Sequence, residues 1–440
     1  MKDIMGRKES IWKRWTGWVQ SHLAGFKRYP FFKAEGGRSL PAALITLAVG
    51  SLLLTPFLSF VSTRSLGIRA ADETFNEQYA SDAGVEFGIW TLLNDNTFRA
   101  QADANPGTTL PLPFPDLING YTPAVDVTAI SIGSWTWNPP PFPPLSISQG
   151  GDMVYTGGNL IYVLQGGNSK GFWRYDIANH TWMGLKNTPI NVRSGGGLVY
   201  PGGNYIYAFF NNKSQGKGNK TDFWRYSISN DHWKRMAPTP QKIGNNTALA
   251  SPGGNFIYVL PGKQQNFWAY NIFGNSWSNL SPAPGNIGAG TSLISFGGGA
   301  LLAFQGNSTN FWIYNISTDN WGALQSTPDK VRDGGSLAYH SGNYVYAFQG
   351  SATSFWRYNM TMNTWAVLTD APGNIGSGGS LVFTGAEGGF ALHGGGNNAF
   401  WRFDVTPPQY DIHSSAGSVD TTARIKMDGS NQNVLFWDIE

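Results

Sequence analysis

The chain has 440 residues, too many for one small domain, and 81 of them are Gly or Pro. Only 13% are charged while 14% are aromatic, with 18 Trp and no Cys. This composition excludes a disordered tail, a helical bundle, a disulfide framework and any cysteine-based metal site or nucleophile. The net charge of +3 is split unevenly along the chain. Residues 1–39 hold nine Lys/Arg against three Asp/Glu, and the rest holds 21 against 24. The large remainder, at −3, offers no electrostatic footprint for nucleic acid, which needs clustered Lys and Arg.

From Leu40 to Val61 there is no charged residue. Twenty-two helical residues span about 33 Å, enough for a bilayer core. The basic block ahead of it predicts a cytoplasmic N-terminus, with the bulk of the chain outside the membrane. A buried globular helix or an ordinary signal peptide is the alternative. Further on, Ile68, Ala71, Phe75, Tyr79, Ala83, Phe87 and Trp90 recur at helical spacing, which predicts one apolar stripe on a helix running to about Leu93.

Glu35-Gly36-Gly37-Arg38 before the apolar run, with Tyr79 to Trp90 after it, resembles the start of a type IV pilin-like minor pilin. The resemblance implies a basic leader cut between Gly37 and Arg38, and contact with other pilins through the helix. Ala42 stands where major pilins carry a glutamate.

Residues 100–120 are Pro-rich and read as a connector. The pair Phe-Trp then recurs at 172, 223, 267, 311, 355 and 400, in steps of 44 to 51 residues. A second Trp follows nine residues after the first in five copies, at Trp182, Trp233, Trp277, Trp321 and Trp365. A strand-rich period of about 45 residues is the mark of a propeller, four strands to a blade. The sixth copy lacks its second Trp. Trp137 lies upstream at matching distance from Gly150-Gly151, so Ser134–Trp137 is expected to close the ring as the outer strand of the last blade. The large aromatics are expected to pack between blades rather than to form a sugar-stacking platform.

Tyr162 to Gly167, Phe172 to Asp176 and Asn179 to Trp182 together resemble a kelch repeat, over roughly 134–405. The expected fold is therefore mainly β, a six-bladed kelch-like propeller inserted into a small α+β pilin-like domain. Val125, Val127 and Ala129 before the ring, and Ala423, Ile425 and Met427 after it, alternate with polar residues as strands of one sheet do. The expected divisions are a leader 1–37, a helix, connector and first strand 38–133, a propeller 134–405 and closing strands 406–440.

No metal-ligand spacing, nucleophile elbow or phosphate-binding Gly-rich loop occurs, so no cofactor, metal or catalytic residue is expected. Nine residues after each second Trp stand Asn191, Lys242, Asn286, Lys330 and Asn374, with Ser146 at the matching place after Trp137. With Arg193 and Arg332 they are expected to ring the axial opening on the face carrying the b–c and d–a loops. Such a ring suits a glycan or an anionic group; a merely solvated loop is the alternative. The sequence thus points to a membrane-anchored surface protein that presents a propeller for adhesion or for an extracellular glycan or protein ligand. A tethered carbohydrate-active enzyme and a purely structural minor pilin capping a filament are the rivals.

Overall fold

In a computed structural model the residues described are 40–104, 106–130, 134–136, 141–211, 221–385, 388–405, 408–428 and 431–440. The chain divides into two compact units, Met1–Ala71 and Asp72–Glu440. Helix α1 runs from Leu40 to Asn94. Among the described residues no helix is long and apolar enough to cross a membrane. The expected span falls mostly on residues whose side chains lie outside that description, and Gly37 and Arg38 lie outside it altogether.

In the second unit, α1 covers one face of a five-stranded antiparallel sheet. Its order is β1 (Thr109–Leu112), β2 (Ala124–Ile130), then Gln409–Ala416, Val419–Asp428 and Asn431–Ile439. Val125, Val127 and Ala129 face the helix and are buried, as are Ala423, Ile425 and Met427. The alternation seen in the sequence is therefore the sheet's own inside and outside.

The helix uses only part of the expected stripe, Ala83 and Phe87 being half-buried and Phe87 packing against the core. Ile68, Phe75, Tyr79 and Trp90 are exposed, and the buried residues are Ala80, Ser81, Val85, Ile89, Thr91 and Leu92, with Gly84 and Gly88 between them. The reason is distance. A Cβ on Gly84 would lie 2.0 Å from Ser414 Oγ, and one on Gly88 would lie 2.7 Å from Ile412 Cγ2. Backbone meets sheet directly along this face, so small residues are required and the bulky ones point elsewhere. The supposed connector also has structure. Asn96–Ala104 forms helix α2, and β1 pairs with β2 although Pro111 sits in it, which an edge strand tolerates.

Between β2 and Gln409 the chain builds six four-stranded antiparallel sheets. Their innermost strands touch in an unbroken cycle, the sixth returning to the first, so the sheets form a closed β-propeller-like ring. Blade 5 is representative: Ser336–Ser341, Tyr344–Phe348, Phe355–Asn359 and Thr364–Val367 run from inside to outside.

The last blade takes its inner three strands from Ser380–Phe383, Gly389–Leu392 and Phe400–Asp404, and its outer strand from β3 (Ser134–Thr136). The split closure is thus present, with one correction of register. Trp135 stands opposite Phe403, as Trp182 stands opposite Tyr175 and Trp233 opposite Tyr226. Trp135 therefore fills the place expected for Trp137, which lies outside the described residues. Counting along the chain missed it because the following loop is two residues longer here.

The repeated aromatics are core. Phe172, Phe223, Phe267, Phe311, Phe355 and Phe400 are all buried, and each meets a Tyr or Phe of the adjoining blade edge-on, as Phe311 meets Tyr358 at 4.9 Å. A second device joins the blades. Trp277 Nε1 donates to the Ala237 carbonyl of the preceding blade at 3.0 Å, and the Ala237 N–H donates to Asn275 Oδ1 at 2.9 Å. Both backbone groups of one residue are thus held by the next blade. The same pair of bonds recurs at Trp233 and Asp231 on Lys186, Trp321 and Asp319 on Ser281, and Trp365 and Asn363 on Gln325. At these four seams the accepting Asn or Asp has positive φ and also takes a Tyr hydroxyl, two demands that those residue types meet together. At the closing seam Trp182 donates to Pro141, whose nitrogen has no hydrogen to give, and His180 replaces the acceptor.

The ring and the small sheet meet through a buried polar cluster. Arg357 of blade 5 lies 3.1 Å from Asp103 of α2, and Tyr410 donates to the other oxygen of Asp103 at 2.6 Å. Arg357 also stacks on Tyr344, with 4.3 Å from guanidinium carbon to ring centre. Burial and the facing carboxylate push the Tyr410 hydroxyl well above its usual range. The equivalent arginines of other blades, Arg174, Arg225 and Arg402, are only half-buried, so a repeat position has been turned to docking in one blade alone.

Candidate functional site

The innermost strands enclose an axial cavity of about 380 Å³. Its wall is mostly small and polar, with Ser194, Asn246, Thr291, Ser295 and Asp333 among the lining residues. A hydrogen-bonded belt runs through that wall. Ser292 Oγ accepts from Leu337 N of the next blade at 3.0 Å, Ser336 Oγ from Leu381 N at 3.1 Å, and Ser380 Oγ from Met153 N at 3.4 Å. In the first blade Asp152 has this place. It accepts from Leu198 N at 2.8 Å and from the Ser380 hydroxyl at 2.9 Å, so one side chain ties the first blade to both neighbours. Gly197 and Ala248 interrupt the belt, having no oxygen to offer.

Burial raises the Asp152 carboxyl to about 6, against the lowering effect of its three hydrogen bonds. The little surface it keeps opens into a narrow protein-walled cavity rather than bulk water, so desolvation still dominates. The role these bonds support is structural, because its acceptor sites are occupied by the neighbouring blades.

The nominated residues lie outside this cavity, which begins three or four positions further along each copy, at Gln149, Ser194, Asn246, Gly290, Asp333 and Gly378. Six of the nominated residues instead precede a buried aliphatic that plugs the gap between blades, at Ile147, Val192, Ile243, Ile287, Val331 and Ile375, and Arg193 and Arg332 follow two of these. Ser146, Lys242, Asn286, Lys330 and Asn374 are exposed, as are Arg193 and Arg332, and Asn191 is half-buried. Several are tied down locally. Asn191 donates to the Asn168 carbonyl at 2.8 Å, and the carbonyls of Asn286 and Lys330 accept from Gln305 and Gln349.

Two of the eight do line hollows on the loop face. Arg193 borders one of about 430 Å³ with Ser148, Gln149, Asn168, Asn211 and Asn245. Lys242 borders another of about 300 Å³ with Asn211, Gln241, Asn245, Lys263 and Gln264. The hollows share Asn211 and Asn245, so they adjoin. Lys263, Asn168, Asn211 and Asn245 were missed from the sequence because they lie in loops of differing composition. What marks three of them is backbone geometry, since Asn168, Asn211 and Lys263 have positive φ.

The carboxylates on this side are held singly. Asp329 accepts from Gln349 at 2.8 Å, Asp370 from Thr353 at 2.8 Å, and Asp333 from the Ser377 hydroxyl. None lines either hollow, and among the described residues no cluster of His, Asp or Glu suited to a metal occurs.

No family model matches the sequence, and no curated protein matches it. Among solved structures one titled "Structure of YjhT" is similar at 13% identity and a TM-score of 0.46, over 67% of this chain and 99% of that one.

Proposed function

We propose that this chain is a membrane-anchored, pilin-like surface protein that presents a kelch-type propeller for adhesion or ligand binding. One observation carries the reading. The ring is spliced into the small sheet between two strands that pair with each other, Ile130 lying opposite Gln409. A binding head can be inserted at such a point without disturbing the sheet. The Arg357–Asp103 cluster then holds that head in one orientation, which a load-bearing or presenting role requires. The apolar run 40–61 supplies the tether and Gly37–Arg38 the leader cut, both by resemblance to minor pilins.

The pairing also supplies the test. Because Ile130 and Gln409 are neighbours across the sheet, a turn of about four residues can replace everything between them. Cells carrying this headless variant should export it yet lose attachment to surfaces or host material. Attachment at the level of the intact chain would overturn the reading. Loss of filaments instead of attachment would favour the structural cap. The mass of the mature chain, beginning at Arg38 or at Met1, tests the leader.

A further inference from the structure

Between Lys186 and Lys263 the sequence holds ten Lys or Arg and two Asp or Glu. Both acids are engaged within the ring: Asp222 pairs with Arg235, and Asp231 accepts from Tyr226 and from Lys186 N. The overall charge of the chain hides this arc. Three of the ten, Arg193, Lys242 and Lys263, line the two adjoining hollows of the loop face, which among the described residues have no carboxylate and no aromatic ring. The remaining polar side chains there are amides and one pair of serines. Arg193 is fixed by a 2.9 Å bond from Nε to Asn168 Oδ1, which leaves its two terminal nitrogens directed by that anchor. Asn211 itself donates to the Ser194 and Gly244 carbonyls, so its side chain links the loops on either side of the two hollows.

We propose that the joined hollows around Asn211 bind an anionic polysaccharide, Arg193, Lys242 and Lys263 taking its acidic groups and the surrounding amides its hydroxyls. The proposal rests on the propeller being a ligand-binding head and adds the class of ligand and the loops that hold it. Cations spaced along a groove select a chain that repeats its charge, and amides supply the paired donors and acceptors that sugar hydroxyls need. A single-stranded nucleic acid has the charge, but it needs stacking platforms, and among the described residues no aromatic lines these hollows. On blades 4 and 5 the matching loops mix Asp329 and Asp333 with Lys330 and Arg332, which cancels the field there.

The test uses the full chain in detergent, with polygalacturonate as a carboxylate probe, dextran sulfate as a sulfate probe, neutral dextran, and a thymidine oligonucleotide. Either acidic polysaccharide should bind at least about tenfold tighter than neutral dextran, weakening as salt rises. The double variant Lys242→Gln, Lys263→Gln should lose about five- to tenfold, and Arg193→Gln a similar factor, whereas Arg332→Gln should change nothing. All four side chains are exposed, so melting temperatures should not move and folding is not at issue. Equal binding of neutral dextran, unchanged affinity in the double variant, or tighter binding of the oligonucleotide would each overturn the proposal. If polysaccharides fail to bind while the intact chain still mediates attachment, this groove is wrong and the adhesive reading stands.

Discussion

The ring and the small sheet solve the same packing problem with opposite residues. Between blades the gap is filled by large aromatics, Phe311 against Tyr358 and Trp365, each repeated around the circle. Between α1 and its sheet the gap is closed by removing side chains, at Gly84 and Gly88. The difference teaches that bulk marks an interface only where two elements stand apart. Where backbones touch, the residues that matter are the smallest, and hydrophobic size misleads.

The largest effect is expected where the two regions join. Asp103→Ala leaves Arg357 buried without its counter-charge and removes the acceptor of the Tyr410 hydroxyl. Breaking a buried pair from one side typically costs about 3–5 kcal/mol. Urea unfolding should show either a large drop in midpoint or a split into two transitions, ring and sheet separating. The double replacement Asp103→Leu, Arg357→Met should recover the part of the loss that comes from the stranded guanidinium, while the Tyr410 hydroxyl stays without its acceptor. Full stability in the single variant would show that the cluster is not what joins the two regions.

Next comes the belt around the axis. The Asp152 carboxyl is raised from its ordinary value to about 6, so the folded chain binds a proton there more tightly than the unfolded chain does. The stability it adds is therefore fully present below about pH 4 and lost as pH rises through 6, a change on the order of 3 kcal/mol at most. Asp152→Ser copies Ser292, Ser336 and Ser380 and keeps an acceptor for Leu198 N while removing the titration. The wild type should lose more midpoint than this variant between pH 4 and pH 7. Equal pH slopes would place the Asp152 proton elsewhere.

Much of the ring was legible because each signal occurs several times. A step of 44 residues and a second Trp nine after the first are hard to produce except by repetition, and they located the blades and the split closure. The seam was misread by two residues because the repeat's spacing to Gly150-Gly151 selects Trp137, whereas pairing with Phe403 selects Trp135. The small sheet was half legible. Its alternating strands showed, but α2, β1 and the strand Gln409–Ala416 did not, since Pro111 and the polar run through His413 hide them. The hollows were least legible, because they are assembled from loops of four blades that share no pattern.

A smaller effect is expected from the close approach itself. Gly84→Ala places a methyl 2.0 Å from Ser414 Oγ and 2.9 Å from Val125 Cγ2, and the helix must lift to make room. Overpacking of this kind costs about 1–3 kcal/mol even though alanine favours the helix. Ser414→Gly in the same chain removes the nearest obstacle and should restore part of the loss. The Ala substitution at Gly67, which meets nothing within 4 Å, is the control and should be neutral or slightly stabilising.

The smallest effect separates an ordinary seam from the closing one. Asn275→Gly keeps the positive φ but leaves Ala237 N and the Tyr270 hydroxyl without their shared acceptor. Two lost bonds at a half-exposed seam should cost about 1–2 kcal/mol, read as a fall in urea midpoint. At the closing seam the same place is held by His180, and the facing residue is Pro141. Proline has no N–H to donate, so His180→Asn restores the repeat's residue without restoring its bond. That variant should stay within about 0.5 kcal/mol of the wild type. A clear gain there would mean that the acceptor works through its Tyr partner alone, and that the grip on the preceding blade's backbone contributes nothing.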